Sequence, residues 1–186
     1  MARCYSVPVK NRQSSLPHVW LISDARNDAV LERALSRLPR GSGFIFRHYH
    51  LPADRRRARY LRLCRTARRH GHAVILAGDT SQARRWKADG AYASPARLGS
   101  APNLLRLATV HSLRELGEAH RAGVDAVLIS PAFPTASHPG APTLGPVRLR
   151  LLAARARAKP IALGGMTRRK ARGYNISRWA AIDGLS

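Results

Sequence analysis

The strongest constraint on the fold is a regular alternation between short apolar runs and polar, helix-forming stretches along the whole chain. Eight runs have the length and the apolar or β-branched content of strands, at residues 19–23, 43–47, 73–77, 90–93, 103–108, 124–130, 160–163 and 179–182. Helical periodicity follows at residues 28–38, 53–69, 80–88, 112–122, 146–158 and 167–172. This order of elements indicates successive βα units around a parallel sheet.

Eight strands of this kind predict the α/β class and a compact (β/α)8 TIM barrel. With 186 residues the chain is short for this fold, which usually takes ~200–400 residues. The stretch 94–102 contains Pro95, Gly99 and Pro102, so it is too broken for a full fourth helix. The sequence ends at Ser186, directly after the eighth strand, so we also expect no eighth helix. An open, doubly wound sheet is the alternative if fewer than eight runs are strands.

The N-terminal stretch differs from the rest of the chain. Residues 1–17 show no helical or strand periodicity and contain Pro8, Pro17 and a polar NRQSS segment. We therefore expect an N-terminal extension over residues 1–17 and one barrel domain over residues 18–186. The extension is either flexible or covers the flank of strands one and eight, where the eighth helix is missing. A second subunit of a homo-oligomer is another way to cover that flank.

The chain is strongly basic, with 33 lysine and arginine residues against 10 acidic ones and a formal net charge of +23. A field of this sign attracts nucleic acids, anionic membranes and phosphorylated metabolites. The arginines are spread along most of the chain without a DNA- or RNA-binding motif, so we interpret them as compositional bias and expect no nucleic-acid partner. No apolar run reaches the ~20 residues of a membrane span, and no signal peptide is recognisable. These features predict a cytoplasmic protein without membrane contact.

Local signals define two of the helices in more detail. The helix at residues 53–69 is amphipathic, with a predicted buried face of Tyr60, Leu61, Cys64 and Ala67 and a predicted solvated face of Arg55, Arg59, Arg62 and Arg69. The helix at residues 112–122 begins with a capping-box pattern, Ser112 followed by Glu115. Gly123 is its expected stop.

Active sites of TIM barrels lie at the carboxyl ends of the strands, and two segments there have an unusual composition. The loop after strand six, residues 130–145, is long and rich in proline, glycine and hydroxyl groups, which is typical of a functional loop. Strand seven ends in LGGMT, where Gly164 and Gly165 allow backbone N–H groups to approach an anion closely. Barrels commonly bind phosphate between the loops after strands seven and eight. We therefore predict a phosphate site at this position.

Several segments of the chain resemble thiamine phosphate synthases and the related TenI proteins, and they occur in the same order. Residues 123–145, GVDAVLISPAFPTASHPGAPTLG, resemble the family's GADYVGLGPVFPTxTK segment and the loop after it, and LGGMT resembles its IGGI. Shorter matches are VWLISD to YLITD, FIFRHYH to FQxRxK, KADG to the start of strand four, and TVHSLRE to GVSxHxxxE. The resemblance extends over residues 19–186.

This resemblance implies an activity: joining hydroxymethylpyrimidine pyrophosphate to thiazole phosphate, with Mg²⁺ and release of pyrophosphate. By position in the family motifs, the implied substrate-binding residues are Arg47, Thr109, Thr135, Ser137, His138, Gly164 and Gly165. The arginine and the hydroxyl groups would hold pyrophosphate, and the two glycines would hold the thiazole phosphate through backbone N–H groups. The implied magnesium ligand is Asp79, which matches one carboxylate of the family's NDD segment.

Several positions depart from the family pattern. Tyr49 and His138 stand where the family has lysines, Gly78 and Arg97 stand where it has carboxylates, and Pro131 stands at the histidine of TenI proteins. The family's SAI segment near the end reads Asp183, Gly184 and Leu185. These departures predict slow synthase activity with weakened magnesium affinity. A non-catalytic or TenI-like barrel that binds a phosphorylated thiazole is the alternative interpretation. A basic protein associated with nucleic acid is a further alternative.

Overall fold

The computed structural model describes residues 16–135 and 140–185, and these form a closed barrel of eight parallel strands. The strands are β1 (Val19–Ile22), β2 (Gly43–Phe46), β3 (Ala73–Ala77), β4 (Gly90–Ala93), β5 (Leu105–Val110), β6 (Ala126–Ile129), β7 (Lys159–Leu163) and β8 (Trp179–Ala181). Each pairs with the next in sequence order, and β8 closes the barrel on β1 with Trp179 opposite Val19. The predicted TIM barrel is confirmed, and the alternative of an open sheet is excluded.

Helices surround the barrel at most, but not all, of the connections. The elements are η1 (Ala25–Val30), α1 (Leu31–Arg37), α2 (Ala53–Arg69), α3 (Thr80–Arg85), η2 (Pro95–Arg97), α4 (Leu113–Ala122), α5 (Gly145–Arg155), α6 (Arg168–Gly173) and η3 (Asp183–Leu185). In the described part of the chain, β4 and β8 are followed only by the single 3₁₀ turns η2 and η3. The predicted lack of a full fourth and an eighth helix is therefore confirmed. Residues 1–15 of the predicted extension lie outside the described residues.

Side chains of the strands alternate between two apolar layers, as expected for a barrel. The inner layer fills the barrel with Trp20, Ile22, Ile45, Ile75, Leu107, Leu128, Ile161 and Ile182. The outer layer packs against the helices and contains Leu21, Phe44, Phe46, Val74, Leu76, Val127 and Ile129. None of the helices within residues 16–135 and 140–185 combines the length and apolar character needed to cross a bilayer.

The long helix α2 is amphipathic as predicted, but its buried face is rotated relative to the prediction. Leu61 is 45% exposed, whereas Leu63 is fully buried together with Tyr60. Arg59, predicted to be solvated, is largely buried and hydrogen-bonded to the carboxylates of Asp28 and Glu32. The prediction was wrong at these positions because helical spacing does not reveal that η1 and α1 place two carboxylates beside α2.

The capping pattern at α4 is confirmed in part. The Ser112 hydroxyl accepts a hydrogen bond from the Glu115 N–H at 3.2 Å, and Gly123 ends the helix in the left-handed conformation with φ 60°. The Glu115 carboxylate instead accepts a hydrogen bond from the N–H of His111, at 2.6 Å. Glu115 therefore fixes the backbone of a residue that faces the mouth of the barrel.

Candidate functional site at the carboxyl ends of the strands

A cavity of about 540 Å³ lies at the carboxyl ends of the strands. It is lined by residues from the segments after β2, β4, β5, β6, β7 and β8, among them five residues predicted from the sequence: Arg47, Thr109, Thr135, Gly164 and Gly165. Two further predicted residues, Ser137 and His138, lie outside the described residues. Asp79 does not line the cavity. The fold thus brings five of the predicted substrate-binding residues to one cavity, and the predicted metal ligand is not among its lining residues.

Two arginines give the β2–β4 side of the cavity its charge. Arg47 follows β2, and Arg97 ends η2 after β4; both line the cavity. Between these segments Tyr49 also lines the cavity, and 60% of it is exposed. The guanidinium carbon of Arg47 lies 5.9 Å from the centre of the Tyr49 ring, within the range of a cation–π contact.

A third arginine, Arg56 on α2, lies behind this side of the cavity and contacts the backbone of Arg47. It was not identified from the sequence. Only 8% of it is exposed, and its guanidinium group donates hydrogen bonds to the carbonyls of Arg47 at 3.0 Å and Ala77 at 2.8 Å. It also lies 5.2 Å from the ring centres of Tyr49 and Trp86. The sequence does contain a signal, because Arg56 precedes buried Tyr60 by four residues and so shares its helical face.

A buried hydrogen-bond chain holds the backbone of Arg47. His48 is 1% exposed, and its Nε2 donates to the Asp28 carboxylate at 2.7 Å while its Nδ1 contacts the Ser23 hydroxyl at 2.7 Å. That hydroxyl accepts the N–H of Arg47 at 2.8 Å. His48 adopts φ 38°, an unusual backbone conformation that the surrounding contacts maintain. Because these residues are far apart in the sequence, no local pattern reveals the chain of contacts.

Folding lowers the pKa of His48 through burial, although the hydrogen bond to Asp28 opposes this effect. Burial likewise lowers the pKa of His72, against the opposing hydrogen bond to the carbonyl of Leu35. For Asp28 burial raises the pKa, but hydrogen bonds from His48 and Arg59 outweigh it and the pKa lies below its ordinary value. All three groups therefore bind protons less readily in the folded chain than in the unfolded one.

The free energy of unfolding is therefore expected to fall on acidification, because the unfolded chain takes up protons at a higher pH than the folded chain does. The fall should start near the ordinary histidine pKa of about 6.5. Urea unfolding between pH 7.5 and pH 5 measures this dependence. In His48→Asn, a residue type that tolerates positive φ, the dependence should be shallower than in the wild type. His50→Asn is the matched control, because His50 is exposed. An unchanged pH dependence in His48→Asn would contradict the assignment.

His111 is the titratable group best placed to exchange a proton with a ligand. It lines the cavity, and its Nδ1 lies 2.7 Å from the carbonyl oxygen of Ser130. A carbonyl only accepts hydrogen bonds, so Nδ1 carries a proton, and the other ring nitrogen, Nε2, is the atom that can accept one. The Thr109 hydroxyl lies 3.3 Å from that Nε2. The imidazole is thus fixed in one tautomer, between Ser130 and Thr109, which both line the cavity.

The turn after β7 brings two glycines to the cavity. Gly164 has φ 98° and Gly165 has φ 58°, a backbone region that glycine adopts readily and other residues rarely do. The glycines also have a packing role. A Cβ atom at Gly165 would lie 2.2 Å from the carbonyl oxygen of Pro134, and one at Gly164 would lie 2.9 Å from Cα of Pro131. Any larger residue would therefore push the loop after β6 away from the turn.

The residues present do not fit a magnesium ion. Asp79 caps α3, where its carboxylate accepts the N–H of Gln82 at 2.7 Å. Among the described lining residues Asp183 is the one carboxylate, and it pairs with Arg26 at 3.2 Å. Within residues 16–135 and 140–185 no group of three or more His, Cys, Asp or Glu side chains could hold a metal ion. Magnesium is usually held by one or two carboxylates together with substrate phosphates, and the arginine-lined side of the cavity offers none.

The fold and the cavity define a TIM-barrel protein whose cavity at the carboxyl ends of the strands is lined by two arginines, Arg47 and Arg97. Comparison with protein families is more specific: residues 19–185 match the model of the thiamine monophosphate synthase family. The chain belongs to this family, as the sequence motifs indicated. No curated protein matches the chain significantly.

Solved structures support the same fold. Thiamine phosphate pyrophosphorylase from Pyrococcus furiosus is similar with a TM-score of 0.72 and 22% identity, covering 88% of this chain and 84% of that one. The enzyme of the same name from Bacteroides thetaiotaomicron has a TM-score of 0.57 and 14% identity, covering 90% and 82%. FabK from Thermotoga maritima has a TM-score of 0.67 and 15% identity, covering 91% and 58%. At these identities the likeness establishes the barrel and leaves the substrate open.

Proposed function

We propose that this protein acts in thiamine biosynthesis, in the cytoplasm, as a thiamine phosphate synthase. The observation that carries the proposal is the convergence of Arg47, Thr109, Thr135, Gly164 and Gly165 on one cavity in a chain of this family. In the reaction, the bond between the pyrimidine methylene carbon and the pyrophosphate oxygen breaks, and the thiazole nitrogen forms a new bond to that carbon. Pyrophosphate leaves with the electron pair.

The proposed roles follow from charge and position. Arg47 and the hydroxyl groups of Thr109 and Thr135 would neutralise the negative charge that develops on the leaving pyrophosphate. The backbone of Gly164 and Gly165 would hold the phosphate of the thiazole on the opposite side of the cavity. Because the cavity lies within a single barrel mouth, both substrates would be held close enough for the thiazole nitrogen to approach the methylene carbon.

The test is direct incubation with hydroxymethylpyrimidine pyrophosphate and thiazole phosphate, with detection of thiamine phosphate and pyrophosphate. We expect both products at equal amounts, at a turnover below the ~10 s⁻¹ typical of enzymes, because Tyr49 replaces a family lysine. Arg47→Ala is expected to reduce turnover by about 10²-fold or more, as for loss of one preorganised charge-stabilising group. Arg157→Ala, at an exposed position near the amino end of β7, is the matched control. Absence of both products at high enzyme concentration would reject the synthase proposal.

Phosphate binding at the glycine turn is tested separately, because a substitution at Gly165 would displace the loop after β6. Inorganic phosphate titrated into ¹⁵N-labelled protein is expected to shift the amide signals of Gly164 and Gly165. At 100 times the Kd, phosphate should also stabilise the protein by about 2.7 kcal/mol. Chloride at equal ionic strength is the control. If both glycine signals stay in place while the protein binds phosphate elsewhere, the site assignment is wrong.

A second candidate function is a TenI-like tautomerisation of a thiazole carboxylate phosphate, and one observation favours it. This reaction moves a proton between two positions of the thiazole, so it needs a group that accepts a proton and returns it. The Nε2 of His111 offers such a lone pair at the cavity, while Pro131 stands where TenI proteins have their histidine. Interconversion of the two tautomers, followed by NMR, distinguishes this activity from synthase activity. A barrel that binds the phosphorylated thiazole without either reaction is the remaining outcome.

A further inference from the structure

None of the described residues that line the β2–β4 side of the cavity carries a carboxylate, although Asp24, outside the lining, interacts electrostatically with Arg47. Arg47 and Arg97 line this side, and Arg56 lies directly behind it. The one carboxylate among the described lining residues, Asp183, belongs to the segment after β8 and pairs with Arg26. Three guanidinium groups are therefore concentrated around one sector of the barrel mouth.

Arg56 makes this sector unusual because its charge is buried. Among its described contacts, the partners are two backbone carbonyls and the rings of Phe46, Tyr49 and Trp86. Burial lowers the pKa of Arg56, but a guanidinium group stays protonated in proteins. Buried charges are normally paired with an opposite charge, and carbonyl dipoles and ring faces offset only part of one. A ligand that brings several negative charges to this side of the cavity would neutralise the remaining positive charge.

Tyr49 organises the same sector. Its ring centre lies 5.9 Å from the Arg47 guanidinium carbon and 5.2 Å from that of Arg56. Each cation faces an electron-rich ring, and this contact helps to fix the Arg47 side chain at the cavity. The backbone of Arg47 is fixed independently, by the Ser23 hydroxyl at its N–H and by Arg56 at its carbonyl. Contacts within the protein thus hold Arg47, Tyr49 and Arg56 in place relative to one another.

We propose that the arginine sector, defined as Arg47, Tyr49, Arg56 and Arg97, binds the diphosphate group of the substrate directly, without a divalent cation. The identity of this ligand rests on the proposed function. Arginine suits the task because its planar group donates two parallel hydrogen bonds to phosphate oxygens. Arg97 and Arg47 contact the diphosphate, and Arg56 acts as a positioning residue through Arg47 and Tyr49. Asp79 has no part in binding, since it caps α3.

The experiment is calorimetric titration of inorganic pyrophosphate into the full chain, once with excess EDTA and once with saturating magnesium. We expect binding in EDTA that magnesium does not tighten. Arg97→Ala is expected to raise the Kd in EDTA by about tenfold or more, because hydrogen bonds to charged groups contribute at least this factor. Arg157→Ala changes the net charge equally at an exposed site outside the cavity, so its Kd should stay within about twofold.

Asp79→Asn separates the two explanations of diphosphate binding. Asparagine caps a helix as well as aspartate does, so α3 should be kept while the carboxylate is lost. We expect pyrophosphate to bind this variant as it binds the wild type, in EDTA and in magnesium. The proposal is overturned if binding requires magnesium and is lost in Asp79→Asn, if Arg97→Ala and Arg157→Ala weaken it equally, or if no binding occurs.

These outcomes are distinct from those of the synthase assay. A chain that forms thiamine phosphate but does not bind pyrophosphate in EDTA keeps the proposed function and loses the metal-free diphosphate site. A chain that binds pyrophosphate in EDTA but yields no product keeps the site and loses the synthase activity. Circular dichroism of each variant checks that it is folded. Should Arg97→Ala fail to fold, Arg97→Lys, which keeps the charge and loses the paired hydrogen bonds, gives the same comparison.

Discussion

Gly43→Ala is expected to destabilise the barrel by about 3 kcal/mol or more, which is the upper end of the usual cost of overpacking a core. A Cβ atom at this position would lie 2.0 Å from a ring carbon of Trp20, on the neighbouring strand. Trp20 cannot move aside easily, because it is fully buried and its Nε1 donates to the carbonyl of Pro17 at 2.8 Å. Urea unfolding at pH 7.5 measures the loss, and an insoluble product is also consistent with it.

The matched control is Gly173→Ala, at the end of α6, where an added Cβ would meet no atom within 4 Å. Its stability should change little or rise slightly, since alanine is the better helix former. The double substitution Gly43→Ala with Trp20→Leu should be more stable than Gly43→Ala alone, because leucine at position 20 leaves room for the added Cβ atom. If Gly43→Ala unfolds at the same urea concentration as the wild type, Trp20 of β1 does not pack against Gly43 of β2 as closely as described.

Much of the fold could be predicted because its strands and helices produce local periodic patterns of apolar residues in the sequence. Each of the eight strands overlaps its predicted run, and Gly123 and Ser112 mark the ends of α4 as expected. Such signals arise from residues that are close in the sequence, so they can be recognised without knowledge of the tertiary structure. The place of the site at the carboxyl ends of the strands follows from the same order of elements, as does the position of Gly164 and Gly165. The family motifs, in contrast, were needed to select Arg47, Thr109 and Thr135, which also line the cavity.

The parts that could not be predicted depend on contacts between distant segments. Arg59 looks solvated on its helix, but η1 and α1 bring carboxylates to it. Asp79 matches a metal-binding motif, yet in this chain it forms the first hydrogen bond of a helix cap. A carboxylate after a strand serves equally well as a helix cap or as a metal ligand, and composition alone does not separate the two. The buried position of His48 depends on three elements at once and leaves no trace in the sequence.

His111→Asn is expected to reduce any proton-transfer activity of this chain by about 10²–10⁴-fold, the usual contribution of a general acid or base. Asparagine retains a short side chain with an N–H that can donate to the carbonyl of Ser130, as Nδ1 of His111 does at 2.7 Å. What it lacks is a counterpart of Nε2, the atom beside the Thr109 hydroxyl. The measurement is the rate of tautomer interconversion, with phosphate binding at Gly164 and Gly165 followed in parallel.

The parallel binding measurement decides how the result is interpreted. If His111 only supports the loop after β6, its loss should weaken phosphate binding and tautomerisation together, because Ser130 leads into that loop and the loop contacts the glycine turn. If His111 exchanges the proton, binding should stay within about twofold while the rate falls. Glu115→Gln is the further comparison, since it weakens the hydrogen bond from the N–H of His111 and leaves the imidazole unchanged. A rate in His111→Asn equal to that of the wild type would show that His111 does not transfer the proton. It would favour the synthase, whose bond exchange at the methylene carbon needs charge neutralisation more than a base.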